Sequence, residues 1–462
     1  MELEIVILAA GKGTRMGSKL PKVLHTIGGK PLLSHVIETA NSLNPSKIII
    51  IYGHGGEQVQ ETIEANINRD ISSKIQWIEQ TQQKGTGHAV QIAAPFLSDH
   101  NKALVLYGDV PLIQASTLKS LISIENKESP LSLLTMNLPN AKGYGRILRD
   151  IDGNILGIVE QKDANTEQLE IKEANTGILC ARIKQLKVWL DKINNENAQG
   201  EFYLTDIVGM AAEAFLNIVS FQPETNYEVE GVNDKKQLAA LERCYQKQQA
   251  DFLLLSGITL MDPNRIDIRG DINIEPDVTI DINVVLEGRV TIKSGTIVGQ
   301  NCLIKNADIG ANTRIEANTV IEDSIIGDEC NIGPFARLRP GSHVHKGGKL
   351  GNFVETKKAE IGEGSKVNHL SYVGDAVLGK GVNVGAGSIT CNYDGTNKYL
   401  TELEDGVFIG SNTSLIAPVK LGKNSTTGAG SVINKNVEDE ELAIARGKQK
   451  NISGWSRPVK KS

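Results

Sequence analysis

The chain has 462 residues, 40% of them hydrophobic and 23% charged, with a formal net charge of −6. This length allows two or three domains, and the composition is that of a globular protein. No broad excess of Lys and Arg exists to neutralise nucleic-acid phosphates, so nucleic acid is not an expected partner. Five cysteines (180, 244, 302, 330 and 391) are odd in number and never in CxxC spacing, which argues against a disulfide framework or a zinc site and fits a reducing compartment. The apolar run 5–10 follows Glu2 and Glu4, is too short for a membrane span and lacks the layout of a signal peptide, so a cytoplasmic protein without a membrane span is expected.

Strand-like stretches lie at 5–8, 48–52, 103–107, 131–136 and 177–180, with amphipathic stretches such as 31–43 and 86–96 between them. The alternation predicts an α/β domain with a mainly parallel sheet, whose ligands gather beyond the carboxyl ends of the strands. The first such end is LAAGKGTRMGSKLPK, 8–22, where Gly11 and Gly13 are followed by Arg15, Lys19 and Lys22. Glycines let a backbone approach a phosphate, and N–H groups and cations bind its oxygens. Val6 stands where GxxxxGK[ST] needs its first glycine, and Met16 where GxGxxG needs its third. Taken alone, the loop reads equally as a phosphate cradle or as an ordinary tight turn. The second end, ALVLYGDVPL at 103–112, delivers Asp109 just past a strand. A carboxylate facing a phosphate loop favours a hard divalent cation; the competing reading is a helix cap. Between the two, QTQQKGTGHA at 80–89 offers amides and a turn suited to a nucleobase edge. Polar or glycine-containing segments at 142–147, 157–164, 173–178 and 229–234 also end apolar stretches, which marks them only as potential site edges.

Residues 234–256 read as a helix, with Leu238, Leu241 and Tyr245 at helical spacing and Gly257 at its end. It serves either as a connector or as part of one domain's core. Beyond it, aliphatics recur every sixth residue: Ile268, Ile274, Ile280, Leu286, Ile292, Val298 and Ile304. The row resumes after one-residue shifts at Ile309 and Ile326, and it continues in shorter runs to Leu421. A helix cannot hold such a row on one face, whereas the stacked coils of a parallel β-helix can. The register fails between Thr390 and Ile409, which predicts a loop leaving the coil. The basic tail 451–462, with Trp455, is either solvated or a cover for some surface.

LAAGKGTRM, LPK, QTQQKGTGHA and LYGD together resemble the sugar-phosphate nucleotidylyltransferases. Continued through the hexapeptide half, the pattern over residues 3–458 is similar to that of the bifunctional bacterial N-acetylglucosamine-1-phosphate uridylyltransferase/glucosamine-1-phosphate acetyltransferase family. The resemblance implies a Rossmann-like nucleotidyltransferase domain (1–232), a helical linker (233–256) and a left-handed parallel β-helix of hexapeptide repeats with a C-terminal tail (257–462). For the first half it implies UTP and N-acetylglucosamine 1-phosphate as substrates. Leu8, Ala9, Gly11, Gly13, Arg15 and Tyr107 match the nucleotide site, with Lys22 at the α-phosphate and Gln80, Gly85 and Thr86 at uracil. Asp109 and Asn233 match the Mg²⁺ ligands, and Gly145, Glu160, Asn175 and Tyr203 match sugar contacts.

For the second half the resemblance implies acetyl transfer from acetyl-CoA to glucosamine 1-phosphate. His369 matches the general base, with Glu355 orienting its ring. Arg339 and Lys357 match the phosphate clamp, and Tyr372, Asn383, Asn392 and Tyr393 match further substrate contacts. The backbone N–H of Ala386, with Asn392, matches the oxyanion donors, and Ser411, Ala429 and Arg446 match coenzyme A contacts. A lone histidine on a solenoid is more often a surface residue. The cluster around His369, with spacings that stacked coils bring close, favours the base. The family implies a homotrimer with acetyltransferase sites between neighbouring solenoids. The competing reading is a nucleotidylyltransferase whose solenoid only oligomerises or regulates it.

Overall fold

LEIVILA at Leu3–Ala9 is almost continuously apolar because, in the computed structural model, it is a central strand covered on both faces. The structure describes residues 1–460 apart from Lys12 and His54, so the last two residues of the basic tail lie outside the described residues. Ile5 and Ile7 point into one hydrophobic layer with Ile48, Ile50, Leu104 and Leu106, while Val6 and Leu8 point into the other with Ile49, Ile51 and Val105. The sheet order is Ile218–Phe221, Leu131–Asn137, Glu173–Arg182, Lys102–Tyr107, Leu3–Ala9, Lys47–Tyr52, Ile75–Glu79, with a hairpin of Arg146–Arg149 and Ile155–Val159 attached at Glu173–Arg182. Only Glu173–Arg182 runs antiparallel within that row. Its first residues therefore lie at the same edge as the carboxyl ends of its neighbours, which gathers Ala9, Tyr107 and Asn175 along one rim.

The chain divides into two compact units, Met1–Tyr245 and Gln246–Ser462. The division falls inside a single helix, Lys235–Leu255. Leu241 packs in the first unit against Met16, Ile27, Leu32 and Leu112, and Ala250 and Leu253 join the core of the second.

The second unit is a left-handed parallel β-helix, and the six-residue ladder is its core: Ile268, Ile280, Leu286, Ile292, Val298 and Ile304 are all buried. One row of 14 strands forms two of its faces and a row of 11 forms the third. Ile268 stacks on Leu286 and Leu286 on Ile304, 18 residues apart, but Ile304 stacks on Ile321, 17 apart. The shortened coils turn their corner on one residue in the left-handed region, Asn306, Asp323, Lys358 or Asp375, with φ of 43–47°. These corners are where the ladder skips. The break after Thr390 is a loop: Tyr372 pairs with Ile389, 17 residues on, whereas Ile389 pairs with Ser414, 25 on. Among the described residues no helix is long and apolar enough to cross a membrane.

Because each coil is supported only by its neighbours, truncation of one buried rung should be felt directly. Ile332→Ala is expected to destabilise the solenoid by about 2–5 kcal/mol, seen as a lower urea midpoint for its β-sheet circular dichroism. An unchanged midpoint would show that Ile332 is not a core rung.

Candidate active sites

The carboxyl rim of the sheet opens into a cleft of about 460 Å³ lined by Leu8, Ala9, Gly11, Lys22, Gln80, Gly85, Thr86, Tyr107 and Asp109, together with Gln83 and Glu201. Strand register brings the first and second loops together, since Leu8 lies opposite Tyr107. Gly13 has φ of 59°, and a Cβ there would lie 2.7 Å from Cβ of Lys22, so the glycine lets the lysine side chain pass. The Lys22 ammonium pairs closely with the Asp109 carboxylate, both groups mostly shielded from solvent. Arg15 lies outside the cleft lining and donates to Oδ1 of Asn233 at 2.9 Å. The N–H of Val232 donates to the Asp109 carbonyl at 2.9 Å, which sets Asn233 beside the Asp109 turn although 124 positions separate them in the chain. Two oxygen donors thus stand at one rim, each holding a cationic group. That donor set suits Mg²⁺.

At the other side of the cleft, Gln80 is buried and its Nε2 donates to the Gly85 carbonyl at 3.1 Å, fixing the amide in the turn. Gln83, which the sequence reading overlooked, donates to the Ala10 carbonyl at 2.6 Å and ties the same turn to the glycine loop. Residues 202–204 lie along this turn: Phe202 N–H donates to Lys84 at 2.8 Å, Gly87 N–H to Phe202 at 2.9 Å, and Leu204 N–H to the Thr86 hydroxyl at 3.3 Å. They lead to Thr205, whose hydroxyl donates to Glu160 at 3.1 Å.

Glu160 belongs to a second group. A Cβ on Gly145 would lie 3.4 Å from its carboxylate, and Asn175 N–H donates to the Gly145 carbonyl at 2.9 Å. Tyr107 joins this group to the cleft, because Gly177, with φ of 85°, lets the tyrosine ring lie where a Cβ would be 2.5 Å away. Tyr203 donates to Asp163 and accepts from Gln199 at 2.9 Å. Burial pushes the phenols of Tyr107 and Tyr203 up, so both remain hydrogen-bond donors. Glu160 is also raised above the ordinary carboxylate range, first by burial and then by Asp163 and Asp206, against the Thr205 hydrogen bond.

In the solenoid, Arg339 forms an ion pair with Glu355 at 2.8 Å, and Glu355 lies in register with Tyr372 on the next coil. Lys357 shares that face and meets Lys398, whose ammonium, with Arg339, lowers the Lys357 pKa. Lys398 comes from the loop after Thr390 and was not anticipated. His369 ends a strand of the third face, and its Nδ1 lies 2.8 Å from Oδ1 of Asn352, its register partner one coil below. Within one solenoid Glu355 pairs with Arg339, and the group beside the His369 ring is Asn352. An amide oxygen only accepts, so Nδ1 is the donor of this contact, which in a neutral ring leaves the lone pair on Nε2. Asn392 is buried, and its amide N–H₂ is held by Asp375. Asn383 lies on the third face, away from Arg339, Glu355, Lys357 and Tyr372, and one solenoid does not bring them together. Tyr393 is exposed on the loop. Ala386, Ser411 and Ala429 stack at one corner: Asn412 N–H donates to Ala386 at 2.7 Å, Gly430 N–H to Ser411 at 2.8 Å, and the Arg446 guanidinium to Ala429 at 2.6 Å. His369 belongs to the same column, since Gly387 N–H donates to its carbonyl at 3.2 Å.

The raised pKa of Glu160 has a sign. In the window above the ordinary Glu range the folded protein holds this proton and the unfolded chain does not, so stability at the site falls as pH rises through the folded value. Glu160→Gln keeps the shape and cannot ionise. Its melting temperature is expected to exceed the parent's at neutral pH, with the gap closing near about pH 4; a gap independent of pH would contradict the burial argument.

Residues 5–134 match the family model of the MobA-like NTP transferase domain, 268–344 that of the GMPPB C-terminal domain, and 401–435 that of the bacterial transferase hexapeptide (six repeats). The Bifunctional protein GlmU of Idiomarina loihiensis is 54% identical over 461 residues, covering 100% of this chain and 99% of that one. That of Alcanivorax borkumensis is 54% identical over 460 residues, covering 100% of both, and that of Marinobacter nauticus 53% over 458, covering 99% of each. Identity above one half through both site-bearing parts means that the chain belongs to the family of bifunctional GlmU proteins.

Proposed function

We propose that this enzyme makes UDP-N-acetylglucosamine by two reactions at two sites: acetylation of glucosamine 1-phosphate by acetyl-CoA within residues 257–462, then uridylyl transfer from UTP within residues 1–232, with 233–256 as connector. The observation that carries the reading is the pairing, in one chain, of a phosphate-and-base cleft at a sheet rim with a histidine held by its Nδ1 beside a cationic face.

In the acetyl transfer, Nε2 of His369 takes the proton of the substrate ammonium, since an ammonium has no lone pair with which to attack a thioester. The amine then forms a bond to the acetyl carbonyl carbon, the C–S bond breaks, and the surplus proton of the nitrogen passes to the departing coenzyme A thiolate. Asn352 keeps the ring in the tautomer that leaves Nε2 basic. Arg339 and Lys357, joined by Lys398, hold the sugar phosphate. Tyr372, Asn383 and Tyr393 contact the sugar, the Ala386 N–H faces the developing oxyanion, and Ser411, Ala429 and Arg446 bind coenzyme A. Asn392 serves by anchoring the loop through Asp375 rather than by reaching the acetyl group.

In the uridylyl transfer, a phosphate oxygen of N-acetylglucosamine 1-phosphate attacks the α-phosphorus of UTP and pyrophosphate leaves. Gly11, Gly13 and Arg15 hold the triphosphate, and Lys22 moves from Asp109 to the α-phosphate. Gln80, Gly85 and Thr86 read uracil, and Gly145, Glu160, Asn175 and Tyr203 read the acetylated sugar. Asp109 and Asn233 are the residues that would hold Mg²⁺, which when bound would neutralise phosphate charge.

The acetyltransferase site is completed in a homotrimer. Phe335, Phe353 and Leu370 form a column at one corner, each about half exposed or more, and the two phenyl rings stack with centroids 5.4 Å apart. Such a stripe is costly in water and suits burial against a neighbouring solenoid. None of the five cysteines is in a disulfide, in keeping with the cytoplasm.

A mass-resolved assay with glucosamine 1-phosphate, acetyl-CoA, UTP and Mg²⁺ should yield UDP-N-acetylglucosamine, with acetylated sugar phosphate accumulating when UTP is omitted. His369→Ala should cut acetyl transfer by about 10²–10⁴-fold while leaving uridylylation of supplied N-acetylglucosamine 1-phosphate intact; Asp109→Asn should do the reverse. If the parent uridylylates but never acetylates, the solenoid serves assembly only. Phe353→Glu with Leu370→Glu should convert trimer to monomer by light scattering and abolish acetyl transfer alone. A trimer that persists in this variant would remove the corner from the interface.

A further inference from the structure

The second face of the solenoid carries a side-chain cluster that neither reaction uses. His343 and His345 flank the buried Val344, and the two-residue period of a strand puts both on the outer side. Their ring centroids are 4.1 Å apart. Glu360 of the next coil lies in register with His343. Its Oε1 is 2.5 Å from Nε2 of His345 and 3.6 Å from Nδ1 of His343. All three donor atoms lie within 4.8 Å of one another.

An ordinary surface ion pair needs one imidazole, and a second ring stacked on the first with its own nitrogen facing the same oxygen is not required for it. The neighbouring ammonium groups are already neutralised: Lys346 pairs with Glu329 at 2.9 Å and Lys380 with Glu363 at 3.1 Å. The cluster is 37–48% exposed. It stands between two surface grooves of about 380 and 540 Å³, so an ion and its waters have access.

We propose that His343, His345 and Glu360 form a labile site for a divalent transition-metal ion, with Zn²⁺ the best match to two imidazoles, a carboxylate and water. Zinc bonds of about 2.0–2.2 Å in a tetrahedron set ligand atoms roughly 3.4 Å apart, a spacing bracketed by the two observed separations. The ion takes the place of the direct contact between His345 and Glu360. Because its ligands come from consecutive coils, it staples them and stabilises the solenoid by mass action. Arg339, Glu355, Lys357 and Tyr372 lie on the first face and His369 ends a strand of the third, so the ion touches no group assigned to acetyl transfer.

The test is a Zn²⁺ titration of the reduced full-length protein against a chromogenic chelator, with excess Mg²⁺ present to fill hard-oxygen sites. The parent should take up one more Zn²⁺ per chain than the His343→Asn/His345→Asn variant, and Glu360→Gln should weaken that equivalent at least about tenfold. Circular dichroism confirms that each variant is folded. A second readout needs no variant: Zn²⁺ should slow diethyl pyrocarbonate modification of the parent's peptide carrying His343 and His345. Persistence of the extra equivalent in the double variant, or a modification rate indifferent to Zn²⁺, overturns the site.

Discussion

The backbone ladder between successive coils is what the acetyltransferase half depends on. Arg339 N–H donates to the Thr356 carbonyl at 2.9 Å, Glu355 N–H to Ser371 at 3.0 Å and Tyr372 N–H to Ser388 at 3.2 Å. Each bond joins residues 16 or 17 apart, so side chains distant in sequence become columns only one strand spacing apart. The pairs Arg339–Glu355 and His369–Asn352 are consequences of that repeat, and so is the contact of Glu360 with the two histidines below it. Buried aliphatic rungs hold the coils, and the coils in turn fix the polar groups outside them to within hydrogen-bonding precision.

The nucleotidylyltransferase half reaches the same end by another route. Its sheet is buried on both faces, so strand ends are the places where polar groups reach solvent together. Lys22 pairs with Asp109 and Arg15 with Asn233, so on the proposed reading each cation is parked on an oxygen suited to a metal until phosphates arrive. Binding of a nucleotide then exchanges partners rather than creating new buried charge, which keeps desolvation modest.

Sequence patterns conveyed the architecture because both periodicities are long and regular. IIIIY at 48–52 reads as a fully buried strand, and the six-residue rungs read as a solenoid. The skips in the ladder were visible but their cause was not, since a corner on Asn306 or Asp323 saves one residue only through a left-handed conformation. Within one solenoid the neighbour of His369 is Asn352 rather than Glu355, for a countable reason. Glu355 and His369 are 14 residues apart, whereas coils here repeat at 17 or 18, and the residue 17 before His369 is Asn352. Coil length applied strictly would have found it. Lys398 had no such handle, because it lies on the loop that leaves the repeat and is placed by a local pairing of Tyr393 with Lys398.

That loop gives the solenoid face its electrostatic character. Arg339 is offset by Glu355, but Lys357 meets Lys398, whose effect outweighs that of the nearby Asp375 carboxylate, and the result is a lysine whose proton is held less tightly than usual. Two ammonium groups in contact repel, and they are tolerated here because both are open to water, which screens them. A phosphate dianion placed between them reverses the sign of the interaction at both nitrogens and at Arg339 together. The face is thus arranged for a doubly negative ligand and against a neutral one. An unphosphorylated amino sugar would present the amine that the proposed mechanism assigns to His369, yet leave the repulsion in place. On the proposed reading, discrimination for the sugar phosphate would reside in a charge arrangement built jointly by the coil register, which supplies Arg339 and Lys357, and by the loop that escapes it, which supplies Lys398.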